Sequence, residues 1–421
     1  MNPNPLALAA DPMVPQRDEL LNLDAMARRL STTTGRHGPV SIHSCRLSCV
    51  SYRPGKRVRV VYRLEADGRV LHVAASTFRT KSRGERAFSN AKRNACYVGD
   101  LRSVAYDSGL ETVFWVWPND RRITNLSAVA GAHDDVTQLI NRRWVTSRLV
   151  DYYPEASAVV ECLDDSGQIV AYAKVHAGDE GERTYRIQGD LARRAQSAWL
   201  RIAQPLAYSK QLRTLVVEPI VGESIRSLTG VRLLAGLRAY GAALATLHSV
   251  PVNDGIGDVR DALVRLQRRA GGIRMVRPDV EEALVALLED LRVRWDEASD
   301  ERVFVHGDTN ENNAILQGDR VALIDFDRTS IGSAGADLGN FLGLLRYYRI
   351  LDLVTPQSER ARAAAFIGGY SSVRPVPDRD SMRVHESAAL AERAVRAVRR
   401  LRARASQQIP FLLHEARELL R

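Results

Sequence analysis

The sequence predicts an α+β protein in which strand-rich passages occupy the first half of the chain and helices the second. Hydrophobic and polar residues alternate from about residue 41 and again from about residue 147, as in half-buried strands. After about residue 230 the hydrophobic spacing becomes helical, as in VRLLAGLRAYGAALATLHSV and DVEEALVALLEDLRVRW. At roughly 150 residues per domain, a chain of 421 residues allows two or three domains.

The predicted elements follow in chain order. Residues 1–40 form a polar arm interrupted by prolines, with one helical stretch around Glu19 to Leu30. The next passage contains CRLSCVSY and RVRVVYRLEADGRVLHVAAST, which predicts antiparallel strands with a turn at residues 66–68. A second passage contains SRLVDYY and SAVVECLDDSGQIVAYAKVHA, which predicts the same arrangement with a turn at residues 165–167.

The two strand passages resemble each other. The matching pairs are Tyr52 and Tyr152, Pro54 and Pro154, Val60 and Val160, Gly68 and Gly167, Ala74 and Ala173, and Gly84-Glu85-Arg86 and Gly181-Glu182-Arg183. A spacing near 100 residues indicates one duplicated module, although unrelated hairpins also share turn residues. Where the second copy has Lys174, this alignment places Ala75 in the first copy.

The net charge of +10 does not indicate nucleic-acid binding. The chain contains five Lys, so nearly all of its basic residues are Arg, and these are interspersed with Asp and Glu. No apolar run reaches the roughly 18 residues of a membrane span, and the N-terminus lacks the basic start of a signal peptide. Four Cys suit a reducing cytosol, so we expect a cytoplasmic protein without nucleic-acid or membrane partners.

The clearest chemical signal lies in VFVHGDTNENNAILQGDRVALIDFD. An apolar strand leads into His306-Gly307-Asp308, Asn313 follows five residues after the Asp, and a short hairpin leads to Asp325 and Asp327. Phosphoryl transfer needs a carboxylate that orients the acceptor and oxygen ligands that hold Mg²⁺ against the phosphates. Asp308 suits the first task, and Asn313 and Asp325 suit the second.

The pattern H-G-D-x-x-x-x-N followed by I-D-F-D resembles the catalytic and metal-binding loops of the aminoglycoside phosphotransferase and choline kinase superfamily. The strict motifs span residues 303–340 and a looser likeness spans 141–345. The resemblance implies a bilobal protein-kinase-like fold, with an antiparallel-sheet small lobe, a mostly helical large lobe and an extra N-terminal α+β module resembling a degenerate small lobe. The expected divisions are an arm (1–40), this accessory module (41–140), the small lobe and hinge (141–222) and the large lobe (223–421).

The resemblance also implies a nucleotide site for ATP. Lys174 is similar to the family's third-strand Lys, which contacts the nucleotide phosphates. Its acidic helix partner would be Glu182 or Asp190, and the alternative for Glu182 is a helix-start residue. LVVEPIVGESI resembles the hinge, where backbone groups near Glu218 and Ile220 would hold adenine. The hairpin expected to cover the phosphates, EASAVVECLDDSG (residues 155–167), lacks a G-x-G-x-x-G pattern.

The remaining candidates have supporting roles. Asp327 would hold a second Mg²⁺ or cap the following turn. His306 would orient the catalytic loop, and His248 is interpreted as a packing residue. Asp337 is similar to the family's Asp that braces the catalytic loop, with a helix N-cap as the alternative.

The expected function is that of an ATP- and Mg²⁺-dependent phosphotransferase acting on a hydroxyl of a small molecule, such as a sugar, an aminoglycoside-like compound or another metabolite. One alternative is a kinase for Ser or Thr of a peptide natural-product precursor; another is a non-catalytic pseudokinase scaffold. Residues 345–421 contain 15 Arg against 8 Asp and Glu, which disfavours a polycationic acceptor, although RAVRRLRARAS could equally be a solvated helix face.

Overall fold

The computed structural model describes residues 8–195, 197–252, 261–297 and 301–421. Its N-terminal module packs helices on an antiparallel sheet of order β1-β2-β3-β5-β4. The elements are α1 (Arg17–Leu21), α2 (Leu23–Thr34), β1 (Ile42–Arg53), β2 (Arg57–Ala66), β3 (Arg69–Thr77), α3 (Lys81–Arg93), β4 (Val104–Asp107), β5 (Thr112–Val116), α4 (Leu126–Ala130) and α5 (Asp134–Thr137). The helical stretch expected in the arm is two helices, because Asn22 caps α2 by accepting a hydrogen bond from the N–H of Ala25.

The small lobe repeats the order of elements found in the N-terminal module. Its elements are β6 (Thr146–Tyr153), β7 (Ser157–Leu163), β8 (Ile169–His176), α6 (Glu180–Arg194), β9 (Leu200–Ile202), β10 (Pro205–Ser209) and β11 (Thr214–Val217). Its sheet order is β6-β7-β8-β11-β10, so in both sheets the last strand inserts beside the third. The predicted likeness of the N-terminal module to a small lobe is therefore confirmed.

Side-chain packing repeats along with this topology. Gly84 in α3 lies against the ring of Tyr106, and Gly181 in α6 lies against the ring of Tyr208. A Cβ atom added at Gly84 would lie 2.8 Å from the Tyr106 ring, and one added at Gly181 would lie 2.9 Å from the Tyr208 ring. Both glycines begin the matching Gly-Glu-Arg sequences, so this shared contact supports the duplication of one module.

Strand pairing corrects the alignment of the two copies. The sequence alignment matches Ala74 with Ala173. In the structure Val60 pairs with Ala75, whereas Val160 pairs with Ala173. Since Val60 and Val160 are equivalent, the counterpart of Ala173 is Ala75, and the β2–β3 hairpin is longer than the β7–β8 hairpin.

The same register changes the residue that replaces Lys174 in the first copy. Lys174 pairs with Val159, and its equivalent Ser76 pairs with Arg59. The expected replacement, Ala75, is therefore wrong by one position. The first copy still lacks an amine at this point and carries a hydroxyl instead.

The large lobe is mostly helical. Its elements are β12 (Glu223–Ser224), α7 (Gly230–His248), α8 (Asp261–Ala270), α9 (Glu281–Glu297), β13 (Arg302–Val305), β14 (Ala314–Gln317), β15 (Arg320–Leu323), β16 (Ser330–Ser333), α10 (Ala334–Ile350), α11 (Pro356–Ser371), α12 (Arg379–Arg399), α13 (Ala403–Gln407) and α14 (Ile409–Glu418). Two small sheets, β12-β14-β15-β9 and β13-β16, carry the loops of the candidate site. Among the described residues, no helix has the length and apolar character that a membrane crossing needs.

The N-terminal module packs against both lobes. Neighbouring residues of a strand point to opposite faces of the sheet. Val60 of β2 belongs to the hydrophobic core that includes Leu390 of α12, whereas Val61 belongs to the core that includes Val160 of β7. The module is therefore an integral part of the structure and connects the small lobe to the large-lobe helices.

Candidate active site

The catalytic-loop motif lies between the short strands β13 and β14. The apolar strand β13 ends at Val305, and the next three residues, His306 to Asp308, form a turn. Gly307 has φ +77°, and a Cβ atom there would lie 2.5 Å from the carbonyl oxygen of Arg328. Only glycine suits this position, because both the backbone angle and the close approach exclude a side chain.

Asp308 and Asn313 are in direct contact. The Nδ2 of Asn313 donates to the backbone oxygen of Asp308 at 2.9 Å and lies 3.3 Å from its carboxylate. Within the described residues, the Oδ1 of Asn313 has no hydrogen-bond donor and is available to a ligand. The carboxylate of Asp308 is partly exposed, at 28%.

The principal candidates surround one cavity between the lobes. This cavity has a volume of about 760 Å³, and its walls include Asp308, Asn313, Asp325 and Lys174. The resemblance places these four side chains in one site although they come from distant parts of the chain, and the structure brings them together.

Lys174 reaches across the cleft to the loop after β15. Its Nζ donates to Asp325 at 2.9 Å and lies 2.6 Å from a carboxylate oxygen of Asp327. Burial alone would lower the pKa of Lys174, but the two carboxylates outweigh burial and raise it. The amine is therefore cationic and holds two like-charged carboxylates together.

Asp325 provides a candidate ligand for Mg²⁺. Its φ is +63°, an uncommon angle for a residue other than glycine. Burial would raise the pKa of its carboxyl, but Lys174 lowers it, so the group is ionised. Mg²⁺ is commonly held by one or two protein carboxylates, phosphate oxygens and waters. The Asp325 carboxylate and the free Oδ1 of Asn313 fit this donor set.

Asp327 contacts two residues of the small lobe, Thr184 and Lys174. It lies in a 3₁₀ turn, Phe326–Arg328, and accepts a hydrogen bond from the Oγ1 of Thr184 at 3.2 Å as well as contacting Lys174. In the described part of the chain its carboxylate accepts no backbone N–H of the following turn, so the expected capping contact is not found. It is absent from the walls of the large cavity.

The expected acidic partners of Lys174 lie elsewhere. Glu182 is 3.9 Å from Lys210, and Asp190 pairs with Arg194 at 2.6 Å within α6. The buried face of α6 presents Thr184 toward Asp327, so the Lys174 pairing is corrected to Asp325 and Asp327. Both Glu182 and Asp190 lie outside the buried face of α6, which explains their failure to reach the amine.

Glu218 lies in the expected hinge, but its side chain is directed away from the cavity. Its carboxylate accepts from Arg201 and from the N–H of Gln204, each at 3.0 Å, and its own N–H donates to the Gln204 carbonyl. The carbonyl of Glu218 and the N–H of Ile220 make no hydrogen bond among the described residues. These two backbone groups are therefore available to a ligand.

The buried carboxylate of Asp337 holds the catalytic loop through three hydrogen bonds. This carboxylate accepts from the N–H groups of His306 and Gly307 at 2.6 and 2.8 Å, and from the Oγ1 of Thr309 at 2.6 Å. Burial would raise its pKa, but the hydrogen bond and charge of His248 help to lower it to about 2. The N-cap alternative is wrong, because Ser333 caps α10 by accepting from Gly335.

The two histidines hold the loop in place. The Nε2 of His306 lies 2.9 Å from the carbonyl oxygen of Ile324, which links the catalytic loop to the metal-binding loop. His248 is buried, with its Nε2 at 3.1 Å from Asp337 and its Nδ1 at 2.9 Å from the hydroxyl of Tyr370. The interpretation of His248 as a packing residue agrees with this position.

Sequence reasoning did not identify the arginines on the acceptor side of the cavity. Arg328 lies 3.5 Å from the carboxylate of Asp308, and Arg393 and Arg396 of α12 line the same cavity. The Arg-rich C-terminal segment was the available signal, but it did not distinguish cavity residues from a solvated helix face. That distinction depends on how α12 packs.

Comparison with known proteins agrees with this geometry. The sequence matches the family described as the phosphotransferase enzyme family over residues 156–385. Among solved structures, aminoglycoside phosphotransferase APH(4)-Ia is similar, with a TM-score of 0.50 and 15% identity over 69% of this chain and 97% of that one. Spectinomycin phosphotransferase APH(9)-Ia, solved with ADP and spectinomycin, has a TM-score of 0.48 and 10% identity over 68% and 96% of the two chains. No curated protein sequence matched the chain.

The family match covers more than half of the chain and includes Lys174, Asp308, Asn313 and Asp325. The similar structure of APH(4)-Ia supports the protein-kinase-like fold predicted from the sequence. Together these findings show that the chain belongs to the phosphotransferase enzyme family.

Proposed function

We propose that this enzyme transfers the γ-phosphoryl group of ATP, with Mg²⁺, to a hydroxyl group of a small molecule. The observation that supports this proposal is the convergence of Asp308, Asn313, Asp325 and Lys174 on one cavity of about 760 Å³. A cavity of this size accommodates the phosphates of a nucleotide and a small acceptor side by side.

Asp308 is the proposed catalytic residue. The hydroxyl oxygen of the acceptor attacks the γ-phosphorus, the bond between that phosphorus and the β–γ bridging oxygen breaks, and ADP leaves. The hydroxyl proton passes to the Asp308 carboxylate and then to solvent. Such a positioned base contributes roughly 10²- to 10⁴-fold to the rate. The contact with Asn313 fixes the loop that carries this carboxylate.

The phosphates would be bound by groups from both lobes. Lys174 is the cationic group of the small lobe at the cavity, and the nucleotide phosphates would take part of the place that Asp325 and Asp327 now hold. The Oδ1 of Asn313 and the Asp325 carboxylate would hold Mg²⁺, which neutralises charge on the phosphates when bound. Adenine would bind the free carbonyl of Glu218 and the free N–H of Ile220.

A transfer assay with radiolabelled ATP and variants of the purified protein tests this function. Asp308→Asn should abolish phosphoryl transfer and retain binding of a non-hydrolysable ATP analogue, because the carboxylate is not proposed to hold the nucleotide. The matched control is Asp319→Asn, which makes the same change at an exposed turn of the neighbouring hairpin. Transfer that persists in the Asp308→Asn protein would contradict the assignment.

The acceptor panel should contain sugars, aminoglycosides and Ser- or Thr-containing peptides. A product found only with a peptide would favour the peptide-kinase alternative. Failure to bind ATP with or without Mg²⁺ would contradict the proposed nucleotide site.

A further inference from the structure

The acceptor side of the cavity carries an unusual excess of positive charge. Its walls include the arginines Arg226, Arg328, Arg393, Arg396, Arg402 and Arg404. Of the acidic residues in the same walls, Asp308 and Asp325 belong to the proposed transfer machinery, and Glu392 is paired with Arg269. Asp151 comes from the small-lobe strand β6. Little negative charge therefore remains on this side to bind a cationic acceptor.

Three of these arginines lack a carboxylate partner in the described part of the chain. The side chains of Arg396 and Arg402 make no ion pair or hydrogen bond with the described residues. Arg393 donates only to oxygen atoms of Asn340 and of Ala389, all of which are uncharged. Burial, together with the neighbouring Arg396, lowers the pKa of Arg393 to about 10. A buried guanidinium group without a counterion is stabilised when an anion binds beside it.

Arg346 and Arg349, two other arginines of the large lobe, have carboxylate partners. Arg346 pairs with Glu386 at 2.7 Å and with Glu415 at 3.1 Å, and Arg349 pairs with Glu359 and Glu415, each at 2.7 Å. These arginines lie outside the cavity walls, where the fold supplies their counterions. Arg393, Arg396 and Arg402 instead line the cavity that contains the candidate catalytic carboxylate.

The end of α12, which carries Arg393 and Arg396 and leads to Arg402, is anchored by contacts with other parts of the protein. The Asp308 carboxylate contributes to the electrostatic environment of both Arg393 and Arg396. Arg400, between Arg396 and Arg402 in sequence, stacks over the ring of Tyr153 at 4.9 Å and donates to the carbonyl of Val50 at 2.9 Å. The small lobe and the N-terminal module thus both anchor the end of α12, so the arginines face the cavity in a preorganised position.

We infer that the acceptor is an anionic hydroxy compound whose phosphate or carboxylate group binds Arg393, Arg396 and Arg402 while its hydroxyl lies at Asp308. This inference rests on the proposed function, because it identifies the acceptor of that reaction. Guanidinium groups bind phosphate and carboxylate alike, through paired, charge-assisted hydrogen bonds to two oxygen atoms of the anion. The property that the arginines would recognise is therefore an oxyanion, either planar or tetrahedral. A polycationic acceptor would be repelled by the same groups.

Binding of matched three-carbon probes can be measured by ligand-observed NMR in the presence of Mg²⁺ and a non-hydrolysable ATP analogue. The probes are glycerol 3-phosphate, glycerate, glycerol and 2-amino-1,3-propanediol, which differ in the charged group that accompanies the hydroxyls. The two anionic probes should bind at least tenfold more tightly than the neutral and cationic ones. The stronger of the two identifies phosphate or carboxylate as the group recognised.

The test variant is the double substitution Arg396→Gln and Arg402→Gln, because both side chains are exposed and their loss should not prevent folding. This double variant should bind the anionic probes at least tenfold more weakly, with an unchanged affinity for the ATP analogue. The control is the double substitution Arg360→Gln and Arg379→Gln, which removes the same charge outside the cavity walls. It should preserve anion binding.

Equal binding of neutral and anionic probes, or anion binding that survives in the double variant, would overturn the inference. Loss of ATP-analogue binding in the same variant would also overturn it, because the arginines would then serve the nucleotide. Failure of the proposed function has a different signature, namely transfer that persists after Asp308→Asn or absence of nucleotide binding in the unmodified protein.

Discussion

The carboxylate of Asp120 in the N-terminal module accepts a hydrogen bond from the hydroxyl of Tyr152 in the small lobe at 2.7 Å. The same carboxylate accepts the backbone N–H of Glu155 at 2.9 Å. Glu155 lies in the turn between β6 and β7, and the flanking residues Tyr153 and Ser157 line the large cavity. The module therefore holds, from outside, the turn expected to cover the nucleotide phosphates.

We predict that this contact gives the N-terminal module a role in nucleotide binding. Asp120→Ala removes the hydrogen bonds from Tyr152 and Glu155, and also those from the N–H groups of Arg122 and Ile123, so the β6–β7 turn should become more mobile over the phosphates. We expect the KM for ATP to rise several-fold, with a smaller change in kcat, and the free energy of unfolding to fall by about 2 kcal/mol. Steady-state kinetics with varied ATP and urea denaturation measure the two effects.

The control for Asp120→Ala is Asp164→Ala. Asp164 likewise orders a hairpin turn of the small lobe, by accepting from the N–H groups of Ser166 and Gln168, but it lies outside the walls of the cavity. The Asp164→Ala substitution should lower the free energy of unfolding without raising the KM for ATP. Equal KM values in both variants would show that the module does not act on the nucleotide.

The side chain of Glu155 adds an ion-pair network to this junction. Its buried carboxylate contacts the guanidinium groups of Arg59 and Arg121, both in the N-terminal module. Burial lowers the pKa of Arg59 to about 10, although the charge of Glu155 opposes this effect. Glu155→Gln leaves three cations, Arg57, Arg59 and Arg121, without this counterion and should cost about 3 to 5 kcal/mol of unfolding free energy.

Arg59→Met in the Glu155→Gln background should recover part of this loss, since it removes the most buried of the unpaired cations. A double-mutant cycle by urea denaturation measures the coupling between the two residues. If the losses of unfolding free energy from the two substitutions simply add, then Arg59 and Glu155 are not coupled and each acts through other contacts.

Local sequence explains which parts of the site could be predicted. Asp308 and Asp325 each follow an apolar strand, and Gly307 marks a tight turn, so the motif and its position on the strands are encoded within a few residues. The contact between Arg59 and Glu155 joins two modules through tertiary packing. In the sequence Arg59 is one basic residue among many in a strand, and its burial against the β6–β7 turn has no local signature.

The partner of Lys174 was mispredicted for a related reason. The resemblance implies an acidic residue on the following helix, but the orientation of α6 decides which side chain faces the amine. The buried face presents Thr184, while Glu182 pairs with Lys210 near the surface. Helix rotation of this kind depends on packing of the whole lobe.

Asp337 makes the stability of the catalytic loop depend on pH. Its pKa is lowered from 3.8 to about 2 in the folded protein, so the ionised group stabilises the fold above about pH 4. This contribution, about 2 kcal/mol at 1.4 kcal/mol per pKa unit, is lost as the pH falls from about 4 toward 2. Asp337→Asn should therefore lower stability at pH 7 and flatten the pH dependence over that range.

Urea denaturation between pH 2.5 and 7 measures this effect, with Asp380→Asn as the control because the Asp380 side chain is 81% exposed. The Asp337→Asn protein should also lose most of its kcat, since an amide offers one acceptor oxygen to the loop donors that the carboxylate binds with two. An unchanged pH profile in this variant would contradict the bracing role.

The last prediction concerns the cation that joins Asp325 and Asp327. Without the amine of Lys174, the two carboxylates repel each other and offer their oxygens to another cation. Lys174→Met should therefore raise the affinity of the nucleotide-free protein for Mg²⁺, while it weakens ATP binding tenfold or more through loss of a phosphate contact. Calorimetric titration with Mg²⁺ alone and then with ATP separates the two effects.

Lys210→Met is the matched control, because it removes the same charge from a lysine that is 77% exposed and pairs with Glu182. Its Mg²⁺ and ATP affinities should equal those of the unmodified protein. If Lys174→Met leaves Mg²⁺ binding unchanged, then the carboxylates do not form the metal site, and Asn313 and Asp325 lose their proposed role. If Mg²⁺ binding tightens but ATP affinity does not fall, the metal site stands and Lys174 serves only as the counterion of the two carboxylates in the absence of the metal.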